Sequence, residues 1–529
     1  MLIWRIFKSN ELQIESPDSM RYLNLKTKPL DMETGRKIVV LHEQDAEELG
    51  HFAGDRVKLT TPGATLIAIA NSTKRMVQRG EIGTFIEVTE ALGLKPGDVL
   101  SVTLASNPQS VDFIRKKIAG EQLAAEEVYT VVDDIVAGKL NSIEMAAFVV
   151  AEYIRGMTTS EIVALTQRMV DTGDKLELDI SPVLDVHSIG GVPGNKYALV
   201  TVPIVAAAGL TVPKTSSRAI TSAAGTADVM NVLANVTLDL NEIKRIVERV
   251  GAVLAWGGAV RLAPADDIII NTERMLRLDP RCQLLASVMS KKLAVGIDRI
   301  LIDIPTGHGA KVEAVDQARS LAHDFMELGH RLNVQVEVAV TYGGQPVGYA
   351  VGPALEAKEA LETLRGNGPG SLVEKATSLA GIMLELGGTA SPGMGRQMAL
   401  DILKSGKAHQ KMCEIIEAQG GNSKIKPEEI PIGDKKEVVL APSTGYVTHI
   451  DNKSINEIAR AAGAPRNKGA GLRVILKEGR RINKDEPLLE IYAEHETKLD
   501  EALAIAKRQP PIEIEGMLLE KMSHRPRME

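Results

Sequence analysis

Cysteine is almost missing from this chain of 529 residues: Cys282 and Cys413 are the only two. Both sit in apolar helical patterns, which argues against a disulfide scaffold or a cysteine metal cluster and fits a reducing cytoplasm. Also lacking is any run of about 18 uninterrupted apolar residues, so no membrane-spanning helix is expected and no membrane partner. There is no excess of positive charge either. The 62 basic and 69 acidic residues leave a net charge of −7, so no global positive field gathers nucleic acid by counterion release. Residues 1–19 carry scattered charges (Arg5, Lys8, Glu11, Glu15) but no continuous apolar core with a small-residue cleavage site, and they read as an extension rather than a secretion signal. His, Cys and carboxylate residues show no metal-ligand spacing, so no metal is expected.

What is present is an ordinary globular balance, 44% hydrophobic and 25% charged, on a chain too long for one hydrophobic core. The expected fold is a multidomain α/β protein. Leu49-Gly50-His51-Phe52-Ala53-Gly54-Asp55 recurs as Leu92-Gly93-Leu94-Lys95-Pro96-Gly97-Asp98. Each copy reads as a short helix ending at Leu-Gly, a turn ending at Gly-Asp, and a strand (Arg56 to Thr60; Val99 to Leu104). Two copies of one unit predict a small interlocked β-barrel of double-psi type over residues 20–107, serving assembly rather than chemistry, since no catalytic cluster falls there. A helical domain follows over 108–180, with Asn141/Glu144 and Thr158/Glu161 spaced to cap helices at about 142–155 and 160–172. Part of 262–295 is expected to return to it.

From residue 181 to 422, strands (183–186, 253–256, 300–304, 334–340) alternate with long helices (312–328, 354–364, 372–386). That is the signature of a mostly parallel α/β sheet, whose ligands sit beyond the carboxyl ends of the strands. Polar, lysine-rich residues 423–436 read as a linker, and 437–529 as a C-terminal α+β domain.

Two loops of the α/β region carry the candidate chemistry. The first runs His187-Ser188-Ile189-Gly190-Gly191-Val192-Pro193-Gly194-Asn195-Lys196 between a strand and an apolar helix. Glycines let backbone N–H groups approach an anion, Ser188 offers a hydroxyl, and Lys196 at the helix start adds charge. The loop fits neither the P-loop nor the dinucleotide fingerprint, which weakens kinase and dehydrogenase readings. A tight turn without a ligand explains it equally well. The second loop, Ser216 to Asp228, sets Arg218 among five hydroxyls within 13 positions. Hydroxyls beside a guanidinium suit an anion or a sugar, and two such loops on one sheet favour an anion site over a helix-capping turn.

Ser216-Ser217-Arg218 with Gly225-Thr226-Ala227-Asp228 resembles the signature of the thymidine and pyrimidine-nucleoside phosphorylase family. Asp185 to Gly191, Leu262 to Asp266, Ala286 to Lys292, Gln345 to Leu364 and Ser405 to Ala408 match it in order, so the resemblance covers about residues 111–521. Several features depart from the nucleoside enzymes: Val186 before His187-Ser188, the inserted Pro193, Ser217, Ala219 and Ala224 where those enzymes prefer glycine, and the N-terminal barrel. All of them are similar to the archaeal branch of the family that acts on nucleoside monophosphates.

The resemblance implies a class II nucleoside phosphorylase-like fold and phosphorolysis of AMP, CMP or UMP to the free base and ribose 1,5-bisphosphate. Inorganic phosphate is the co-substrate, and no further cofactor is implied. It also implies a homodimer or larger homo-oligomer, and a site that closes between domains, with Gly257 and Gly258 as hinge candidates. Carried over by position, Gly191, Ser217, Arg218, Ala219, Ile220, Thr221, Ser222, Thr226, Ser287 and Lys311 contact the nucleotide. His187, Ser188, Gly190, Gly194 and Lys196 belong to the phosphate loop, and Lys291 is a further base-side candidate. Asp279 is the implied proton donor to the departing base, a role that burial in the cleft would favour. Arg218 and Lys196 are the charges expected to read the 5′-phosphate. Two alternatives stay open: a phosphorylase of nucleosides, and a non-catalytic nucleotide-sensing or assembly protein.

Overall fold

The computed structural model describes residues 22–219, 222–518 and 522, in two compact units. The first holds the chain up to Gly156 together with Asp267–Pro280, and the second holds Met157–Asp266 with Arg281 onward.

In the first unit, β1 (Tyr22–Pro29), β2 (Ile38–His42), β3 (Arg56–Thr60), β4 (Thr65–Thr73), β5 (Glu81–Thr84) and β6 (Val99–Leu104) form a closed barrel in the order β1-β5-β2-β4-β3-β6. The pairs β1·β5 and β2·β4 are parallel and the others antiparallel. Alternate strand residues, such as Val39 and Leu41, Val57 and Leu59, and Leu100 and Val102, fill its interior with no exposed surface, as the two-residue side-chain period of a strand requires.

The repeat seen in the sequence is built twice. Helices α1 (Glu43–Leu49) and α2 (Ile86–Leu92) each stop at a left-handed glycine, Gly50 (φ 76) and Gly93 (φ 60), where no Cβ opposes that conformation. The following turns are closed by the same bond: Phe52 N–H donates to Asp55 (2.8 Å) and Lys95 N–H to Asp98 (2.7 Å). Helices α3 (Ser110–Ile118), α4 (Ala125–Val136) and α5 (Ser142–Arg155) follow. Asn141 caps α5 with Glu144 reaching back, as its spacing predicts. The buried Arg56 guanidinium ties barrel to helices by donating to the Lys139 carbonyl (2.6 Å), Asn107 (3.1 Å) and Glu144.

The second unit opens with α6 (Thr159–Asp171), capped by Thr158 and Glu161. Then come β7 (Leu184–Ser188), α7 (Ala198–Ala207), β8 (Val212–Ser216), α8 (Thr226–Leu233), α9 (Leu240–Val250), β9 (Ala252–Trp256), α10 (Pro264–Leu276), α11 (Arg281–Ala294), β10 (Arg299–Thr306), α12 (Val315–Arg331) and β11 (Gln335–Tyr342). The chain division falls inside α10. The strands β11-β10-β7 are parallel, as are β8 and β9, and a parallel bridge between Val183 and Thr211 joins the two sets. The apolar run of β10 is interrupted by Asp303, which is fully buried, accepts the Thr341 hydroxyl at 2.6 Å and lies 2.9 Å from the Lys375 ammonium.

After the short β12 (Ala350–Val351) come α13 (Pro353–Leu364), α14 (Gly370–Leu386), α15 (Gly395–Lys404) and α16 (Lys407–Ala418). The tail contributes β13 (Lys435–Leu440), β14 (Gly445–Ile450), α17 (Asn452–Ala461), β15 (Gly471–Val474), β16 (Arg481–Ile482), β17 (Pro487–Ala493), α18 (Glu496–Arg508) and β18 (Ile512–Glu515). Its first sheet runs β12-β15-β17-β13. A strand of the preceding domain therefore belongs to the tail's own sheet, and the tail is less separate than its sequence suggests. The expected linker is likewise partly ordered: it holds a 3-10 turn at Pro427–Glu429 and the first residues of β13.

Candidate active site

Parallel strands bring the candidate loops to one edge. In the β10·β7 register His187 lies beside Ile302 and Ser188 beside Asp303, and in the β8·β9 register Ser216 lies beside Trp256. His187, Ser188, Ser216, Trp256 and Thr306 thus stand at the carboxyl ends of their strands, where an open α/β sheet takes its ligands.

The first loop passes through two left-handed glycines, Gly190 and Gly191 (both φ 91). A Cβ at Gly191 would lie 2.4 Å from the backbone nitrogen of Lys311, so glycine is what lets the loop preceding α12 pack here. Gly194 (φ 67) is as confined, its Cβ position 2.7 Å from the Ala350 carbonyl. Ser188 accepts a hydrogen bond from Asn195 at 3.0 Å. Lys196, expected beside the phosphate, points elsewhere. Its ammonium donates to the carbonyls of Gly194, Val347 and Ala350 at 2.9–3.0 Å and pairs with Glu359 at 2.7 Å. A fully enclosed cation satisfied by four oxygens is a structural brace, not a ligand contact.

Positive charge comes from other lysines. Burial pushes the pKa of His187 well below its ordinary value, and the charges of Lys292, Lys214, Lys311 and Lys291 push it the same way. Both effects favour the neutral imidazole. Lys292 is held by Asp185 at 2.6 Å and the Thr215 carbonyl at 2.9 Å, with Lys214 3.7 Å from the same carboxylate. Burial brings Lys214 down to about 7, although Asp185 opposes the shift. Lys292 ends a segment quoted from the sequence without any role, and Lys214 lies just ahead of the second loop. Their partners lie 77 and 107 positions away or across two strands, so no local spacing marks them.

The second loop is organised by Asp228. Its carboxylate accepts the N–H groups of Ala219 (2.7 Å) and Gly225 (3.0 Å) and the guanidinium of Arg218 (3.2 Å). Arg218 also lies over the Trp256 ring, 4.8 Å from its centroid, and stays partly exposed. Ser222 donates to the Ala224 carbonyl at 3.2 Å, and Thr226 begins α8. Ile220 and Thr221 lie outside the described residues. Ser217 sits with its carbonyl against Gly225, where a Cβ would come within 2.6 Å.

On α11 the four-residue spacing of Gln283, Ser287 and Lys291 puts them on one face. There the buried carboxylate of Asp266 holds all three, at 3.0, 2.8 and 2.8 Å. Asp266 is thus the organiser of the expected base-side group, a role its sequence segment does not reveal. Asp279 lies in the Asp267–Pro280 stretch of the first unit and is exposed. The burial expected around it is not there.

This is the architecture of a glycosyl-transferring enzyme. Residues 181–409 match the glycosyl transferase family a/b domain, residues 111–173 its helical bundle domain, and residues 446–513 the pyrimidine nucleoside phosphorylase C-terminal domain. The chain is 55% identical to the AMP phosphorylase of Thermococcus kodakarensis over 95% of its own length and 100% of that protein's. Against the AMP phosphorylase of Pyrococcus furiosus it is 56% identical over 94% and 98%, and against that of Methanococcus aeolicus 50% over 95% and 99%. It belongs to the AMP phosphorylase family. Among solved structures, the anthranilate phosphoribosyltransferase of Thermus thermophilus matches with TM-score 0.50 at 21% identity, covering 59% of this chain and all of that one, a likeness of fold alone.

Proposed function

We propose that this chain carries out the reversible phosphorolysis of AMP, giving adenine and ribose 1,5-bisphosphate, with CMP and UMP as further substrates. The observation that carries the reading is the placing of both candidate loops at the carboxyl ends of parallel strands, in a chain 55% identical to an AMP phosphorylase. In the reaction a phosphate oxygen bonds to C1′ while the bond from C1′ to the base breaks, and the electron pair leaves with the base. Backbone N–H groups of the Gly190-Gly191 turn receive the phosphate. Arg218, freed for ligand on its exposed side, takes the 5′-phosphate. Ser287 and Lys291, fixed by Asp266, face the base, and Gly191, Ser217, Thr226 and Lys311 complete the nucleotide contacts. The resemblance assigns to Asp279 the proton that neutralises the departing base, a contribution of about 10²- to 10⁴-fold; the side chain is exposed as it stands, so the role requires bound substrate to bury the carboxyl and keep it protonated. The reaction calls for no cofactor beyond inorganic phosphate.

We also read the barrel as double-psi, which its two parallel pairs within an otherwise antiparallel closed ring support. A cytoplasmic homo-oligomer formed through the helical region is supported by the exposed Ile143, Tyr153 and Ile154 of α5. The test of function is phosphate-dependent base release from AMP against adenosine and uridine. Equal rates on the nucleosides overturn the nucleotide reading, and unchanged turnover in Asp279→Asn removes the assigned proton donor.

A further inference from the structure

Two histidines and a carboxylate from segments far apart in the chain meet beside the loop that leads to Lys311. His308 follows β10, His449 lies near the end of β14, and Asp451 caps α17. One ligand-capable atom from each lies within 4.8 Å of the other two. The two rings meet edge to face, centroids 4.7 Å apart. The decisive detail is how the His449 ring is satisfied. Its Nδ1 faces a carboxylate oxygen of Glu478 at 3.5 Å, whereas Nε2 is buried and has no hydrogen-bond partner. Glu478 is itself fixed by the Ile450 N–H (3.1 Å) and the Tyr342 hydroxyl (2.9 Å).

We propose that His308, His449 and Asp451 form a binding site for a divalent transition metal of the zinc class. A carboxylate behind one imidazole nitrogen orients the ring and leaves the other nitrogen as the ligand, the arrangement that supports metal-bound histidine. A buried nitrogen without a partner is otherwise unfavourable. Two nitrogens and one oxygen suit zinc, cobalt or nickel, while magnesium and calcium favour oxygen alone. A triangle with sides of at most 4.8 Å places its centre within about 2.8 Å of each atom. Closing to the ~2.1 Å of a zinc–nitrogen bond then takes movements under about 1 Å. Asp451 is already positioned by the N–H groups of Lys453 (3.0 Å) and Ser454 (3.3 Å) and by the Ser454 hydroxyl (2.6 Å); both Ser454 donors go to Oδ2, so Oδ1, which accepts only the Lys453 N–H, keeps a second lone pair for the metal. The exposed side of His308 leaves a fourth position to water.

The site's place in the fold suggests its use. Asn452 donates to the carbonyls of His308 (3.3 Å) and Gly343 (2.9 Å), so the start of α17 already clasps the loop between β10 and Lys311. A metal ion would lock that clasp and hold the Lys311 backbone against Gly191. Binding itself does not depend on the phosphorylase reading.

Full-length protein stripped with a chelator and titrated with zinc by calorimetry is expected to bind one ion per chain, and with cobalt(II) to develop visible absorption of a four-coordinate site. Both signals should vanish in His308→Ala, an exposed position, and in His449→Ala, with circular dichroism reporting the fold of each. Glu478→Gln is expected to weaken zinc about 10- to 100-fold. Absence of stoichiometric binding, or binding undiminished in His308→Ala, overturns the site. Should His449→Ala not fold, the His308 variant decides.

Discussion

The ammonium of Lys196 lies 2.7 Å from the carboxylate of Glu359, with no side-chain surface exposed. Glu359 in turn accepts the N–H groups of Tyr349 (3.0 Å) and Ala350 (3.3 Å). The pair therefore pins the end of the first glycine loop to the 347–350 segment and to α13. Lys196→Met would leave a buried carboxylate without its cation. Urea unfolding of the variant is expected to show a loss of about 3–5 kcal/mol. Adding Glu359→Gln should recover part of it, since the two residues form one unit.

Gly191→Ala tests the packing of the phosphate loop. The added methyl meets the Lys311 backbone at 2.4 Å in a left-handed residue (φ 91), so one of the two loops must move. Displacement on the scale of 1 Å is expected to lower kcat/KM by about 10²-fold. Stability should fall by only about 1–3 kcal/mol. Steady-state kinetics beside thermal melting separates the two effects.

Arg218→Ala should discriminate between nucleotide and nucleoside. Losing a charge-assisted contact to the 5′-phosphate corresponds to a fall in kcat/KM for AMP of about 10- to 100-fold. Any slow reaction of adenosine should not change. An equal fall for both substrates would show that Arg218 serves only to hold the loop through Asp228 and Trp256.

Asp266→Asn should act through Ser287 and Lys291 rather than on the phosphate. With the shared acceptor weakened, KM for AMP is expected to rise about 10-fold, equivalent to ~1.4 kcal/mol, while KM for phosphate stays near its parent value. Initial rates with each substrate varied in turn give both constants.

Glu356 predicts a pH effect on stability. Burial raises its carboxyl to about 7, against the opposing charge of Lys196 and the Gly352 N–H. The folded state therefore holds a proton that the unfolded chain releases near 4.5. Its contribution is present below pH 4.5 and is lost as pH rises through 7. Denaturation midpoints of the parent at pH 5 and pH 8, compared with those of Glu356→Gln, should show a smaller change in the variant.

Much of this molecule was legible in its sequence because the relevant physics is local. The Leu-Gly and Gly-Asp repeat predicted two matching helix ends and turns, and both copies carry the same Asp-to-backbone bond. The spacing of Asn141 with Glu144 and of Thr158 with Glu161 located two helix starts to within a residue. Apolar runs between glycine loops predicted parallel strands and placed the candidate residues at their carboxyl ends. The glycines of the first loop, Gly191 among them, read as backbone able to approach an anion closely. The sequence could not say that the neighbour is Lys311.

Only the tertiary structure decided where the charges went. Lys196 turns inward because two carbonyls and Glu359 converge on it from residues more than 150 positions away. Lys214 and Lys292 share Asp185 because strands β7 and β8 and helix α11 meet there. His308, His449 and Asp451 come together across some 140 residues of chain. A side chain's periodicity records which face of its own helix or strand it occupies. The charge or lone pair it finds on that face depends on elements that contribute no local pattern, and burial makes that partner decide whether a lysine is a ligand, a base or a brace.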